Sequence, residues 1–323
     1  MSALVSIIIP IKNRSQFFEE TAQSLVQETH REWEALVVDD DSAVAEFKRI
    51  AAIAGGDPRF RLMTKSVRRH GAPARRNEGL AASKGDYVIF LDADDLLAPD
   101  CLERRVKRLE ENPQADFVVF QTGLFREKPG DTNLVWDEFN DEDDLERFLR
   151  GDAPWCCYGP IWRRSSLSRI GPWDERALSW QDWEFHIRAV ALGLRYFKVP
   201  EPDSYYRLTR PGSISFKANM PRQIFNRARL FGRVAIFLRE QDALNRRRRR
   251  ILAAQFLRHA FYSGLRRKEA LQIWRVGLRA KVIRWPEFTA GLAFQGIPRV
   301  TNRICRGFEH LLFPELNTLI PRG

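Results

Sequence analysis

Apolar and polar positions alternate in two registers along the first 120 residues, short buried-strand runs taking turns with helical spacing. Leu4-Val5-Ser6-Ile7-Ile8-Ile9 reads as a strand, Gln16 to Gln27 as a helix, and Glu34-Ala35-Leu36-Val37-Val38 as the next strand. The pattern continues with helix Ala43 to Ala54, strand Phe60-Arg61-Leu62-Met63, helix Pro73 to Ala82, and strand Tyr87-Val88-Ile89-Phe90-Leu91. Helix Pro99 to Glu110 and strand Phe117-Val118-Val119-Phe120 complete it. Repeated strand–helix alternation predicts an α/β fold with a mixed, mainly parallel sheet covered by helices on both faces. Residues 122–215 are less regular and rich in tryptophan, with a helix expected from Gln181 to Leu192. Beyond about Phe216 the pattern becomes helical: Ile224, Ala228, Phe231, Ala235 and Leu238 share one face, and Arg222, Arg229 and Arg233 lie opposite.

Charge divides the chain at the same place. Residues 1–215 carry 30 Lys and Arg against 36 Asp and Glu, whereas residues 216–323 carry 23 against 6, including the run Arg246 to Arg250. An acidic half joined to a basic one predicts different partners for the two, the basic half favouring nucleic acid or an anionic membrane surface. No run approaches the roughly 18 apolar residues of a spanning helix, and Met1 to Pro10 enters a strand pattern without a basic leader. A cytoplasmic chain is therefore expected, with its four cysteines as reduced thiols because their spacing fits neither a disulfide framework nor a zinc site.

Ligands of such sheets bind beyond the carboxyl ends of the strands. There the sequence places Asp39-Asp40-Asp41 after the second strand, and Asp92, Asp94 and Asp95 after the fourth. Neighbouring carboxylate clusters repel unless a cation, or a ligand bearing one, sits among them. A hard ion such as Mg²⁺ or Mn²⁺, completing its shell with substrate phosphates, suits an all-oxygen set. Glycine-rich phosphate loops are absent after the first strand, which weakens NTPase and dinucleotide readings.

Val5-Ser6-Ile7-Ile8-Ile9-Pro10, Val37-Val38-Asp39-Asp40-Asp41-Ser42, Ala74-Arg75-Arg76-Asn77-Glu78-Gly79 and Gly85-Asp86-Tyr87-Val88-Ile89-Phe90-Leu91-Asp92-Ala93-Asp94-Asp95, in that order, resemble glycosyltransferase family 2. The likeness covers roughly residues 4–215 and implies an inverting, nucleotide-sugar-dependent enzyme with the GT-A fold. By resemblance, Asp40 would contact the nucleotide base, Pro10 would belong to the loop around the nucleoside, and Arg76 would help to hold the nucleotide. Asp92 would lie by the ribose and diphosphate and beside the metal, with Asp94 as the ligand of Mn²⁺ or Mg²⁺. Trp180-Gln181-Asp182-Trp183-Glu184 resembles the family segment that carries the catalytic base, which gives Asp182 that role and leaves Glu184 as fallback. Ser179-Trp180-Gln181-Asp182 also fits a capping box, in which Asp182 merely closes a helix end. In Tyr206 to Ser215 the histidine frequent in the family is replaced by Thr209 and Arg210, so Arg210 is expected at the diphosphate.

The expected organisation is a catalytic domain over 1–215, with a nucleotide-sugar half about 1–121 and an acceptor half about 122–215, followed by a basic helical region over 216–323. The expected donor is a UDP-sugar and the acceptor a hydroxyl of a glycan or lipid-linked molecule. The helical region would bind the inner face of the cell membrane peripherally or pair two copies. The competing readings are a metal-dependent sugar nucleotidyltransferase, which normally has a glycine-rich loop where Pro10-Ile11-Lys12-Asn13-Arg14-Ser15 stands, and a basic nucleic-acid-binding protein.

Overall fold

The computed structural model describes residues 3–66, 68–136, 138–208, 221–262, 265 and 267–289. In chain order its elements are β1 Val5–Ile11, α1 Ser15–Val26, β2 Trp33–Asp39, α2 Val44–Ala54, β3 Phe60–Thr64, α3 Ala72–Ala82, β4 Tyr87–Phe90, β5 Leu96–Leu97 and α4 Cys101–Glu111. They continue with β6 Phe117–Phe125, α5 Asp144–Arg150, β7 Pro160–Arg163, α6 Arg164–Ile170, α7 Gln181–Ala191, β8 Tyr196–Arg207, α8 Pro221–Glu240, α9 Arg246–Tyr262 and α10 Arg267–Arg279. The chain forms two compact units. One comprises Met1–Asp141, Pro154–Arg176 and Gly193–Pro211; the other comprises Glu142–Ala153, Ala177–Leu192 and Gly212–Gly323. The second unit therefore includes α5 and α7 as well as the helices after residue 215.

The first unit holds one sheet in the order β3-β2-β1-β4-β7-β6-β8-β5. Strands β3, β2, β1 and β4 run parallel, as do β6 and β8, while β7 is antiparallel to β4 and β6 and β5 is antiparallel to β8. This is the mixed, mainly parallel α/β sheet that the alternation predicts. Right-handed crossovers carry the chain outward from β1 through α1 and α2, then back past β1 through α3, so α3 covers the opposite face. The reversal lies between β1 and β4, the switch point at which such sheets open a crevice. Sheet burial on both faces explains why Val5, Ile7, Ile8 and Ile9 are all fully buried rather than alternating. Pro10 is tolerated here because β1 pairs with β4 only as far as Ile8 and with β2 alone beyond it.

Gly79 sets how closely α3 approaches the sheet. A Cβ there would stand 2.5 Å from Ile8 Cγ2 and 3.3 Å from Val38 Cγ2. Because a branched core side chain on a central strand has little room to yield, Gly79→Ala should destabilise the protein by about 1–3 kcal/mol, read as a lowered denaturation midpoint.

A second buried device joins α1 to α4. Glu28 follows α1 and accepts a hydrogen bond from Leu102 N (3.0 Å) in the first turn of α4. Burial outweighs that bond and the nearby Arg105 charge, pushing the Glu28 carboxyl up to about 9 from 4.5. A raised folded-state value means that the neutral form stabilises the fold below pH 4.5 and that this contribution is lost progressively as pH rises toward 9. Glu28→Gln, which can still accept from Leu102, should therefore gain stability over the parent as pH rises from 6 to 8, by at most about 1.4 kcal/mol per unit. Denaturation at the two pH values checks it; a constant difference between parent and variant contradicts it. Beside it, Arg105 and Asp203 form a fully buried two-bond pair (Nε–Oδ2 2.8 Å, Nη2–Oδ1 2.6 Å) that ties α4 to β8.

The second unit is helical. Asp143 caps α5 by accepting from Glu146 N (2.9 Å), and Trp183 Nε1 donates to Phe148 O, joining α7 to α5. The helix α8 buries Ile224, Ala228, Phe231, Ala235 and Leu238, the face that the spacing predicts. The arginine run opens α9, where the positive end of the helix dipole disfavours cations. The structure offsets this with acids: Arg247 Nε lies 2.9 Å from Glu146, Arg248 Nη2 2.8 Å from Asp143, and Arg249 2.9 and 3.0 Å from Glu287. Three of these five arginines thus hold α9 in place. Among the described residues no helix is long and apolar enough to cross a membrane.

Candidate active site

Parallel β2, β1 and β4 bring the two acidic clusters to one edge of the sheet, two strand spacings or about 10 Å apart. The three consecutive aspartates after β2 divide their labour. Asp39 closes the turn by accepting from Ser42 N (3.0 Å), and Asp41, in left-handed conformation at φ 60°, pairs outward with Lys65. The Lys65 hydrogen bond, with the charges of His70 and Lys12, holds the Asp41 carboxyl below its usual range. Asp39 and Asp40 are both buried, but Asp40 is the one whose carboxylate meets α3 and its cations. Its Oδ2 accepts from Gly71 N (3.0 Å), Arg75 Nη1 lies 3.5 Å from Oδ1, and His70 Nδ1 stands 3.5 Å from the same oxygen. Lys12 Nζ donates to the Asp40 carbonyl at 2.7 Å. The loop after β1 is fixed to this turn, because Asn13 N donates to Ser42 Oγ and Asn13 Oδ1 accepts from Ala43 N.

The helix α3 organises both clusters, one residue after another. Arg75, fully buried, serves Asp40 and also approaches Glu78 Oε2 (3.0 Å). Arg76 reaches the other cluster, donating from Nη2 to Asp92 Oδ1 at 2.7 Å while its guanidinium carbon lies 4.5 Å over the Trp173 ring. A cation seated on an indole face is held by the ring quadrupole as well as by its carboxylate. Asn77 in turn fixes Trp173, donating to its carbonyl (3.1 Å) and accepting from its N–H (2.8 Å). Arg76 is thus a buried residue holding Asp92 rather than a solvated helix position. Trp173 is part of the support, and Trp155 and Trp162 are core.

After β4, Asp95 is fully buried and structural, accepting from Arg207 N through Oδ1 (2.9 Å) and from Thr21 Oγ1 through its carbonyl (2.9 Å). Arg207 Nε also donates to the Asp94 carbonyl (3.1 Å), and its guanidinium lies over Phe125 and against Glu20. The turn that presents Asp92 and Asp94 is therefore clamped from behind by β8. The sequence assigns Arg207 no role; the signal for it is its place directly after Tyr206, at the start of the segment that resembles the family. Asp94 is buried and the Asp92 side chain is about a third exposed, at 32%.

Among the described residues no three His, Cys, Asp or Glu side chains gather into a set that could hold a metal alone. The donors present, Asp92 and Asp94, are hard oxygens two residues apart, with Arg76 engaging Asp92 through Oδ1. They fit an Mg²⁺ or Mn²⁺ ion that takes one or two carboxylates and completes its shell from a ligand's phosphates. Arg210, expected at the diphosphate, lies outside the described residues.

Asp182 belongs to the helical unit, in the first turn of α7. The capping box is not formed: the residue preceding the helix is Trp180, in left-handed conformation at φ 57°, and it makes no side-chain cap hydrogen bond. The Ser179 hydroxyl is buried without a hydrogen-bond partner. A bulky residue in that conformation stores strain of about 1–3 kcal/mol and persists only where its surroundings fix it. Here an aromatic box does so, with Trp183, Phe231 and His259 rings 5.5, 5.6 and 6.0 Å from the Trp180 ring and Arg227 over its face. Gly151, itself at φ 82°, leaves the space beneath, since a Cβ there would stand 3.1 Å from the indole. Glu184, the fallback base, is buried and held by Arg188 through two bonds (2.7 and 3.1 Å). His186 is buried against Phe148 and Phe185, a packing residue.

Comparison with known proteins is consistent with this arrangement. The amylovoran biosynthesis glycosyltransferase AmsB of Erwinia amylovora is 28% identical over 223 residues, spanning 64% of this chain and 71% of AmsB. Three Rickettsia glycosyltransferases match more locally, the chain spanning only 17–19% of their length. Among solved structures, Staphylococcus aureus TarS 1–349 in complex with UDP-GlcNAc superposes with a TM-score of 0.68 at 19% identity, covering 87% of this chain and 82% of that one. The mannosyltransferase PcManGT of Pyrobaculum calidifontis, in complex with GDP-Man and Mn²⁺, gives 0.53 at 18% identity over 97% and 84% of the two chains. These neighbours share the GT-A fold. The family model for glycosyl transferase family 2 matches residues 6–171, slightly more than half of the chain and all four motifs around the sheet edge, so the chain belongs to glycosyl transferase family 2.

Proposed function

We propose that this glycosyltransferase moves a sugar, with inversion, from a UDP-sugar to a hydroxyl of a glycan or lipid-linked acceptor. The observation that carries the reading is the α3 relay, in which Arg75 and Arg76 from adjacent positions fix Asp40 and Asp92 at the two strand ends flanking β1. Asp40 is read as the base-side contact, with Pro10 beside it near the end of β1 rather than in the loop that the resemblance implies, and Asp92 as the contact to ribose and diphosphate. Asp92 and Asp94 would hold Mn²⁺ or Mg²⁺, which when bound offsets charge on the departing diphosphate. Asp182 takes the proton of the acceptor hydroxyl as its oxygen attacks the anomeric carbon. The bond from that carbon to the diphosphate oxygen breaks, and the nucleoside diphosphate leaves with the electron pair. TarS with UDP-GlcNAc and PcManGT with Mn²⁺ support the donor class and the metal.

The test is a panel of nucleotide sugars incubated with the chain and Mn²⁺ or Mg²⁺. Free nucleoside diphosphate from a UDP-sugar, suppressed by EDTA, is the expected product; pyrophosphate would indicate nucleotidyl transfer instead. We also propose that the helical region attaches the enzyme to the cytoplasmic face of a membrane, where a lipid-linked acceptor is presented. The +17 charge of residues 216–323 supports that reading.

A further inference from the structure

Arg247, Arg248 and Arg249 are engaged by acids, whereas other cations of the helical unit meet no acid among the described residues. On α10, Lys268, Arg275 and Arg279 recur at intervals of seven and four and are exposed, a single stripe on a helix of 3.6 residues per turn. On α8, Arg222, Arg229 and the 45% exposed Ile236 form the stripe opposite the buried face. None of these five cations forms an ion pair with a described residue; Arg229 instead rests on the Phe225 ring (4.5 Å). The two helices touch directly, since a Cβ on Gly232 would meet Val276 and Ala280, and Arg239 donates to the Ala280 carbonyl (2.8 Å).

The direction of each stripe follows from helix geometry. Short connections make α9 run back against both neighbours, so α8 and α10 run the same way. At 100° per residue, Gly232 lies about 60° from the centre of the α8 stripe on one side, and Val276 and Ala280 about 80° and 120° from the centre of the α10 stripe on the other. Parallel helices joined along those lines turn both stripes to the same side. Past the end of α10, Lys281, Arg284 and Trp285 are exposed, the indole at 68% being, among the described residues, the most exposed large apolar side chain after Val44. The acid on the α8 stripe is Glu240 at its last residue.

From this juxtaposition we infer that the α8–α10 face, with Trp285, is a docking surface for an anionic lipid bilayer. The five stripe cations, with Lys281 and Arg284 just past α10, have no ion pair among the described residues and supply attraction to a negatively charged leaflet. Ile236 and Trp285 supply the apolar groups that enter the headgroup boundary, where indole rings concentrate. A nucleic-acid surface would use the cations and could stack on the indole, but it has no use for an exposed isoleucine between two arginine-bearing helices. The inference deepens the surface-attachment part of the proposed function and is independent of the sugar chemistry.

Sedimentation of the full chain with neutral phosphatidylcholine vesicles, and with vesicles containing about a third phosphatidylglycerol, tests it. Binding is expected to the anionic vesicles alone and to fall steeply as salt rises from about 0.05 to 0.5 M. The exposed triple variant R229E/R275E/R279E should lose about 10²-fold in partition with an unchanged circular dichroism spectrum and unchanged donor hydrolysis. Trp285→Ala should weaken binding several-fold without altering its salt dependence. Equal binding to neutral vesicles, no binding at low salt, undiminished binding of the triple variant, or displacement from vesicles by a short single-stranded RNA would each overturn the assignment. Donor hydrolysis on the same preparations separates the readings: vesicle binding without nucleoside diphosphate release leaves this surface standing and removes the proposed chemistry.

Discussion

Asp94→Ala is expected to lower sugar transfer by about 10³-fold or more and to abolish metal-dependent nucleotide binding, while leaving the protein folded. Its side chain and its backbone have separate duties. The carbonyl accepts from Arg207 Nε, a bond that the substitution leaves in place. The carboxylate is one of the two that, in the proposed site, would hold the ion, so its loss would remove half of that donor set. Asp95→Ala supplies the contrast. It would orphan the Arg207 N–H that Asp95 Oδ1 now accepts, costing about 1–3 kcal/mol of stability along with activity. Nucleoside diphosphate release, Mn²⁺ titration by calorimetry, and thermal denaturation distinguish the two. Near-parental turnover of Asp94→Ala would remove the metal assignment.

Asp182→Asn should lower the rate by about 10²- to 10⁴-fold while holding donor affinity within a few-fold, because the proton is taken only as the new bond forms. The isosteric amide keeps the size and shape of the side chain in the first turn of α7. Stability should therefore stay within about 0.5 kcal/mol of the parent. The strained Trp180 backbone and its aromatic box explain how one carboxylate at a helix start can be held in a fixed orientation. Single-turnover rates and equilibrium donor binding, measured separately, check this. A parallel fall in donor affinity and melting temperature would make Asp182 a structural residue instead.

Much of the sheet was legible because strand and helix periodicities differ and because each element of the first half is bounded by its own turn residues. The boundaries of β1, α1, β2 and α2 fall within two residues of the spacing-based expectation. The later half was not. The two-residue β5, the four-residue β7 and the short α5 and α6 carry too few positions to show a period. β8 contains Pro200 and Pro202 near the register shift at Phe120/Thr122, so it reads as a loop until β6 is there to pair with it.

What the sequence determined by itself is the class of fold, the family, and the residue types offered at the carboxyl edge, since an ordered set of motifs between periodic elements is a local property of the chain. Only tertiary structure decided which of Asp39, Asp40 and Asp41 meets Arg75, that Arg76 holds Asp92, and that Asp95 faces Arg207, because each depends on partners tens of residues away. It also assigned the charges. Composition counts arginines alike, but Arg247, Arg248 and Arg249 meet acids distant in sequence whereas Arg229, Arg275 and Arg279 meet none among the described residues. A charge can act on an outside partner only where the fold has left it without one inside.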